Sequence, residues 1–235
     1  MNILILGSGG REHSLAWAVM QNPNYDKLVV APGNAGIAQI ADCAAIDPSD
    51  TAAVLELCEA NAIDFVVIGP EAPLAAGVAD ALRDQGYLTF GPSAEAARLE
   101  ASKAFTKEIC DACKAPTAAY GHFTDAASAR ADVEKQGAPI VIKADGLAAG
   151  KGVIIAQTIE EAETAVKDML AGNAFGEAGH RVVVEEFLVV EEASFIVMAD
   201  GEHVLPLATR QAHKARDEGV LGPTTGGMGA DSQGP

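Results

Sequence analysis

Aromatic side chains are scarce, at 5% of 235 residues with a single tryptophan, and basic ones are outnumbered, with 16 Lys and Arg against 33 Asp and Glu. The resulting formal charge of −17 repels a phosphate backbone, which excludes a broad nucleic-acid tracking face. No apolar run approaches the roughly 18 to 20 residues of a membrane span. The apolar start Met1–Gly7 lacks the basic n-region of a signal peptide and is broken at once by glycines. A soluble, cytoplasmic protein is expected. Disorder is excluded as well, because 49% of the residues are hydrophobic and the charges are scattered. The four cysteines, Cys43, Cys58, Cys110 and Cys113, lack the two close pairs of a zinc site. Cys110-Asp-Ala-Cys113 ends a helical run instead of following a buried strand, so small half-buried thiols are expected, not a redox dithiol. The five histidines show no ligand spacing.

What is present begins with short apolar runs separated by amphipathic stretches. Asn2–Leu6, Lys27–Ala31, Asp64–Ile68 and Tyr87–Phe90 read as strands without polar alternation, each closed by glycine or proline. Such strands, alternating with helices, predict a parallel sheet covered on both faces: a Rossmann-like domain over 1–100. Asp47-Pro48 predicts a helix start, with Val54 and Leu57 turned inward. From Gly91 the pattern changes. Gly91-Pro-Ser93 opens an alanine-rich helix expected to run past Lys103, and Thr124 is the expected N-cap of a helix near 125–135. Strands are expected at 118–123, 139–143, 153–156, 181–185, 193–198 and 203–207, with a capping box at Thr158–Glu161 and the stripe Ala162, Ala165, Val166, Met169 and Leu170. This is an α+β unit over 101–235 built on antiparallel pairing. The glycine-rich end from Leu221 to Pro235 reads as loop.

Gly7-Ser-Gly-Gly10-Arg11-Glu12 stands where a dinucleotide fingerprint would, but Glu12 replaces the third glycine and is expected to spoil the close helix–strand approach. No acidic residue ends the second strand, so a nicotinamide cofactor is not expected. Free N–H groups at a helix start, with the Arg11 guanidinium, suit a lone phosphate; a tight turn is the other reading. Glu71, in Gly69-Pro-Glu-Ala-Pro-Leu74, either takes a ligand hydroxyl or amine or simply meets a helix dipole. Lys143-Ala-Asp-Gly146-Leu-Ala-Ala-Gly150-Lys151-Gly152 is not a P-loop, since it lacks the Ser or Thr and a strand follows it. A glycine-rich loop between antiparallel strands instead reads as a flap whose N–H groups fold over a triphosphate, with Lys103, Lys143 and Lys151 either phosphate partners or ordinary solvated lysines. The strand end Val182–Leu188 exposes main chain able to read an adenine edge, and Glu192 lies four residues on, where it can accept ribose hydroxyls.

Gly9-Gly-Arg-Glu-His13, Ala31-Pro-Gly-Asn-Ala-Gly36, Gly69–Leu74 and Gly146–Gly152, followed in order by Glu185–Leu188, Glu191–Ser194 and Thr225–Gly229, resemble the glycinamide ribonucleotide synthetase family across essentially the whole chain. The resemblance implies a Rossmann-like N-domain (1–100) and an incomplete ATP-grasp domain (101–235) whose lid subdomain covers 119–189. It implies a carbon–nitrogen ligase of purine biosynthesis that joins glycine to 5-phosphoribosylamine at the expense of ATP, through a glycyl phosphate. It also implies that Lys103, Lys143, Gly146, Gly150, Lys151 and Gly152 meet ATP phosphates, that Glu185 with the Phe187–Leu188 main chain reads adenine, and that Glu192 takes the ribose. Gly9, Gly10, Arg11 and Glu71 would face phosphoribosylamine, while no catalytic residue is assigned. The magnesium-binding Glu and Asn of the family are expected beyond Pro235, so none of the metal ligands is expected in this chain. Departures fall at Val190, Ala212, Thr224 and Asp231–Pro235, mostly toward the end. The rival expectations are another ATP-grasp carboxylate–amine ligase and a non-catalytic nucleotide-binding fragment.

Overall fold

The computed structural model describes residues 1–148, 152–171, 180–190, 192–217 and 221–232, with side chains left aside at 214–217 and 221–228. Contacts divide the chain into two units, Met1–Ala101 and Ser102–Pro235.

In the first unit, β1 (Asn2–Gly7), β2 (Lys27–Pro32), β3 (Asp42–Cys43), β4 (Phe65–Ile68) and β5 (Leu88–Phe90) form one parallel sheet in the order β3-β2-β1-β4-β5. Helices α1 (Gly10–Met20), α2 (Thr51–Ala60), α3 (Glu71–Ala75), α4 (Val78–Asp84) and α5 (Ala94–Ala101) connect and flank it. Leu4, Leu6, Val29 and Val66 pack with Val54, Cys58, Val78 and Leu82, whereas Ile3, Ile5, Leu28 and Val30 pack with Ala16 and Ile37. Alternate residues of each strand thus feed two cores, which is why the strands carry no polar alternation. After β1 the chain lays β2 and β3 on one side, then crosses to place β4 on the other. The crevice at the carboxyl ends of β1 and β4 is therefore the switch point where such sheets bind ligands.

The expected helix start at Asp47 lies three residues early. Asp50, with extended backbone, is the N-cap, its Oδ1 accepting from the Ala52 and Ala53 N–H groups at 3.0 and 3.2 Å. Asp47 instead closes the preceding turn by accepting from the Ser49 N–H. Val54 and Cys58 face inward four residues apart and Leu57 is half-buried. Burial pushes the Cys58 thiol up to about 11, Cys110 is half-buried, and Cys43 and Cys113 are exposed; all four are free. The expected continuous helix past Lys103 is broken at Ser102, whose backbone is extended and whose hydroxyl caps a new helix by accepting from the Phe105 N–H.

That helix, α6 (Lys103–Cys113), opens the second unit, followed by β6 (Tyr120–Phe123), α7 (Ala126–Gln136), β7 (Ile140–Ala144), β8 (Val153–Ala156), α8 (Ile159–Leu170), β9 (Val182–Glu186), β10 (Val197–Ala199), β11 (Val204–Pro206), β12 (Arg210–Asp217) and β13 (Leu221–Ser232). β6-β9-β7-β8 form an antiparallel sheet, and β10–β11 and β12–β13 form hairpins. Ala129 and Val133 of α7, with Ala162, Ala165, Val166 and Met169 of α8, cover the face that carries Ile140, Ile142, Val182 and Val184. Strand alternation consequently sends Lys143 and Glu185 to the opposite face. The N-cap of α7 is Asp125, not Thr124: its carboxylate accepts from the Ser128 N–H at 2.8 Å, which also holds its pKa below the usual range. Thr158 caps α8 as expected. The end read as loop is instead the strand β13, paired with β12 across two register irregularities. A partner ladder has overridden the low strand propensity of glycine. Among the described residues no helix is long and apolar enough to cross a membrane.

Candidate functional site

Two regions gather the residues singled out above, one in each unit. In the first, β1 and β4 are adjacent and parallel, so the loops that leave them, Gly7–Gly9 and Gly69–Pro70, lie side by side. Gly7 leaves β1 with φ +130, a conformation that favours glycine. Between the loops sits Glu12, only 3% exposed. A Cβ on Gly7, Gly9 or Gly69 would run into the Glu12 side chain, so the three glycines form its cradle. The close approach that Glu12 was expected to spoil is kept, because its carboxylate occupies the space the glycines leave. Glu12 Oε2 accepts from the Gly9 N–H at 2.6 Å, closing the capping box of α1. That donor, expected to be open for a phosphate, is already engaged.

Arg11 is held at both ends. Its Nε donates to Glu12 Oε1 at 2.9 Å and its Nη1 meets Glu71 Oε1 at 3.4 Å. Burial alone would lower its pKa, but hydrogen bonding and charge from Glu12, then from Glu71, outweigh this and raise it above the ordinary value. Gly10 begins α1 with open space around its Cα. One guanidinium facing two carboxylates leaves this crevice better suited to a ligand carrying an amine or hydroxyls beside its anionic group than to bare phosphate. Asn34 ties the neighbouring loop in place, donating to the Ser8 carbonyl and accepting from the Gly36 and Ile37 N–H groups.

The second region lies where α6, β7 and β9 begin or end. Buried Asp145 follows β7 and fastens all three. Its Oδ1 accepts from the Ala104 N–H at 2.7 Å, its Oδ2 from Arg181 Nε at 2.8 Å, and both oxygens from the Ser102 hydroxyl. Its own N–H donates to the Arg181 carbonyl and its carbonyl accepts from the Lys103 N–H. Lys103 Nζ donates to the Gly146 carbonyl at 3.1 Å. The glycine-rich loop thus starts from a rigid root. It ends at Gly152, whose carbonyl accepts from the Ala144 N–H and where a Cβ would stand 2.6 Å from that of Ala148.

On the face away from the α7–α8 core, Lys143 Nζ lies 2.6 Å from Glu185 Oε2 and Lys107 Nζ lies 3.3 Å from Glu185 Oε1. Lys107 also donates to Thr117 Oγ1 and the Ala118 carbonyl, with its ammonium 5.2 Å from the centre of the Tyr120 ring. The Tyr120 hydroxyl donates to Asp111 Oδ2, which pushes its pKa up to about 12. Strand alternation puts the Glu185 side chain on the lysine face, where it is turned to Lys107 and Lys143. Phe187 is half-buried, and Leu188 and Glu192 are exposed. Gly150 and Lys151 lie outside the described residues. Sequence reading missed Glu12 as a buried group, and it missed Lys107, Asp145 and Arg181. Lys107 had one available signal, its spacing of three from Ala104 on an otherwise apolar inward stripe. Among the described residues, no group of three His, Cys, Asp or Glu is placed to hold a metal.

Two family models match the chain: the N domain of phosphoribosylglycinamide synthetase over residues 1–100, and its ATP-grasp (A) domain over 101–235. Phosphoribosylamine–glycine ligases of Yersinia pestis and Pseudomonas aeruginosa are each 59% identical to it over 237 residues. Each comparison covers 100% of this chain but 55% of the relative, so the chain spans about half the length of the curated relatives it matches. The crystal structure of phosphoribosylamine–glycine ligase from Thermotoga maritima superposes with a TM-score of 0.80 at 30% identity, covering 98% of this chain and 55% of that one. The biotin carboxylase domain of Hydrogenobacter thermophilus 2-oxoglutarate carboxylase, solved with MgADP, ADP and bicarbonate, has a TM-score of 0.73 at 18% identity over 94% of this chain and 52% of its own, a likeness of fold alone.

Proposed function

The chain belongs to the phosphoribosylglycinamide synthetase family, and from this we propose that it supplies the N-domain (1–100) and part of the ATP-grasp domain (101–235, with 119–189 as lid) of a ligase joining glycine to 5-phosphoribosylamine. The observation that carries the reading is the charge arrangement at the end of β7: two lysines share one carboxylate, Glu185, beside a glycine-rich loop. Positive charge is left over there for the phosphates of ATP. Lys143 and Lys103 hold those phosphates, and N–H groups of Gly146–Gly152 close over them. The Phe187–Leu188 main chain reads adenine and Glu192 takes the ribose hydroxyls. In the first unit, Gly9, Gly10 and Arg11 meet the phosphate of phosphoribosylamine and Glu71 suits its amine and hydroxyls, while buried Glu12 orients Arg11.

The chemistry is the one that the family resemblance implies. A carboxylate oxygen of glycine attacks the γ-phosphorus, the bond to the β-phosphate bridging oxygen breaks, and glycyl phosphate and ADP form. The amine of phosphoribosylamine then attacks the carbonyl carbon. Loss of phosphate and of one amine proton leaves the amide of glycinamide ribonucleotide. Among the described residues no group of three His, Cys, Asp or Glu is placed for magnesium. The chain spans about half the length of its relatives, and turnover is proposed to need the other half as well.

The test is a chimera in which this chain replaces the matching half of a family relative, assayed for ADP release from ATP, glycine and freshly generated phosphoribosylamine. Release that needs both small substrates is expected from the chimera and not from the chain by itself. Release independent of glycine would contradict the ligase reading, and turnover by the chain alone at a comparable rate would contradict its incompleteness.

A further inference from the structure

Lys107 stands outside every role assigned so far, although its side chain is 8% exposed. Burying an ammonium group is costly unless it is paired, and an apolar residue of similar volume serves an inward helix position at lower cost. Its pairing is complete: Thr117 Oγ1 at 2.7 Å, the Ala118 carbonyl at 3.1 Å and Glu185 Oε1 at 3.3 Å account for its three donors. Lys107 is thus unable to reach a ligand directly. What it does is divide Glu185. That carboxylate, 6% exposed, gives one oxygen to Lys107 and the other to Lys143, whose side chain is 26% exposed and is the reachable member of the three.

Lys107, Glu185 and Lys143 together carry a net charge of +1. Without Lys107, Glu185 and Lys143 would be a neutral pair, with little attraction left for an anion. We propose that Lys107 is a positioning residue for the phosphates of a nucleoside di- or triphosphate, acting through Glu185 so that Lys143 presents uncompensated positive charge. The proposal rests on the nucleotide reading above and adds to it the residue that sets the charge of the site. Tyr120 supports the arrangement by laying its ring against Lys107 while its own hydroxyl is held by Asp111.

The experiment is a charge cycle on the 235-residue chain. ADP and adenosine are titrated calorimetrically into the unaltered protein, Lys107→Met, Glu185→Gln and the double variant. Lys107→Met is expected to weaken ADP about tenfold, from one charge removed at close range, and to leave adenosine unchanged. The double variant again holds one lysine charge unopposed, and its ADP affinity is expected to return to within about threefold of the starting value. Unchanged ADP binding in Lys107→Met would overturn the proposal. So would a double variant no better than the single one, or parallel loss of ADP and adenosine, which marks a merely structural lysine. If Lys107→Met does not fold, Glu185→Gln against the double variant carries the test. ADP should bind more tightly to Glu185→Gln, and equal affinities would refute the charge argument. Failure of the unaltered protein to bind ADP would remove the nucleotide reading and this proposal together, whereas normal binding with an indifferent Lys107→Met removes the proposal alone.

Discussion

Gly69 and Gly10 are both glycines of the first crevice, yet they meet different demands. A Cβ on Gly69 would collide with the Glu12 carboxylate, while nothing lies within 4 Å of one on Gly10. Gly69→Ala is therefore expected to destabilise the fold by about 1–3 kcal/mol through overpacking against a side chain with no room to withdraw. Gly10→Ala, in the first turn of α1, should be neutral or stabilising by about 0.4–1 kcal/mol. Urea unfolding midpoints compare the two, and equal midpoints would contradict the cradle. At this scale the sequence was legible in part. That Glu12 breaks the dinucleotide fingerprint could be seen at once, but its burial could not. Gly69, one wall of its cradle, comes from a loop far along the chain, and only the adjacency of β1 and β4 brings the two together. Lys107 was hidden for a related reason, since the carboxylate that justifies burying it arrives on β9.

Elements built on local rules were readable, and those resting on competition between neighbours were not. The Thr158 N-cap and the α8 stripe follow from spacing alone, although Glu161 completes the expected box one residue early, accepting from the Gln157 N–H. The starts of α2 and α7 were displaced because two capping residues lie close together, and the one with the suitable backbone, Asp50 or Asp125, prevails. β13 was missed because composition says nothing about an available partner strand. The root of the glycine-rich loop gives a prediction at the same scale. Asp145 and the Ala144–Gly152 hydrogen bond fix its two ends, and on the proposed reading the N–H groups between them meet phosphates. Addition of ATP should raise amide exchange protection at Gly146, Leu147, Ala148 and Gly152, with little change in α8. Equal protection with and without nucleotide would mean that the loop makes no phosphate contact.

At the scale of the molecule, charge and apolar exposure act in opposite directions. Leu188, Val189, Val190, Phe195, Val204 and Leu205 are all exposed, a concentration that favours association, while a formal charge of −17 opposes it. Screening should shift the balance: with a Debye length of about 30 Å at 0.01 M salt and 8 Å at 0.15 M, the sedimentation coefficient is expected to rise as salt is added. A coefficient that falls or stays constant over that range would show the apolar patch to be inert. The parallel and antiparallel sheets of the two units were legible from the change of element order near residue 91, with strands alternating with helices before it and successive strands such as 139–143 and 153–156 after it.

Titration of ATP with magnesium into Lys143→Ala beside the unaltered protein, in the family's full-length context, shows whether the end of β7 is a phosphate site made of lysine charge. Loss of a charge-assisted contact from this half-buried position should cost roughly 1.5–3 kcal/mol, which is about ten- to a hundredfold in the dissociation constant. A weakening of that size is the predicted result, and a dissociation constant unchanged by removal of Lys143 would contradict the account.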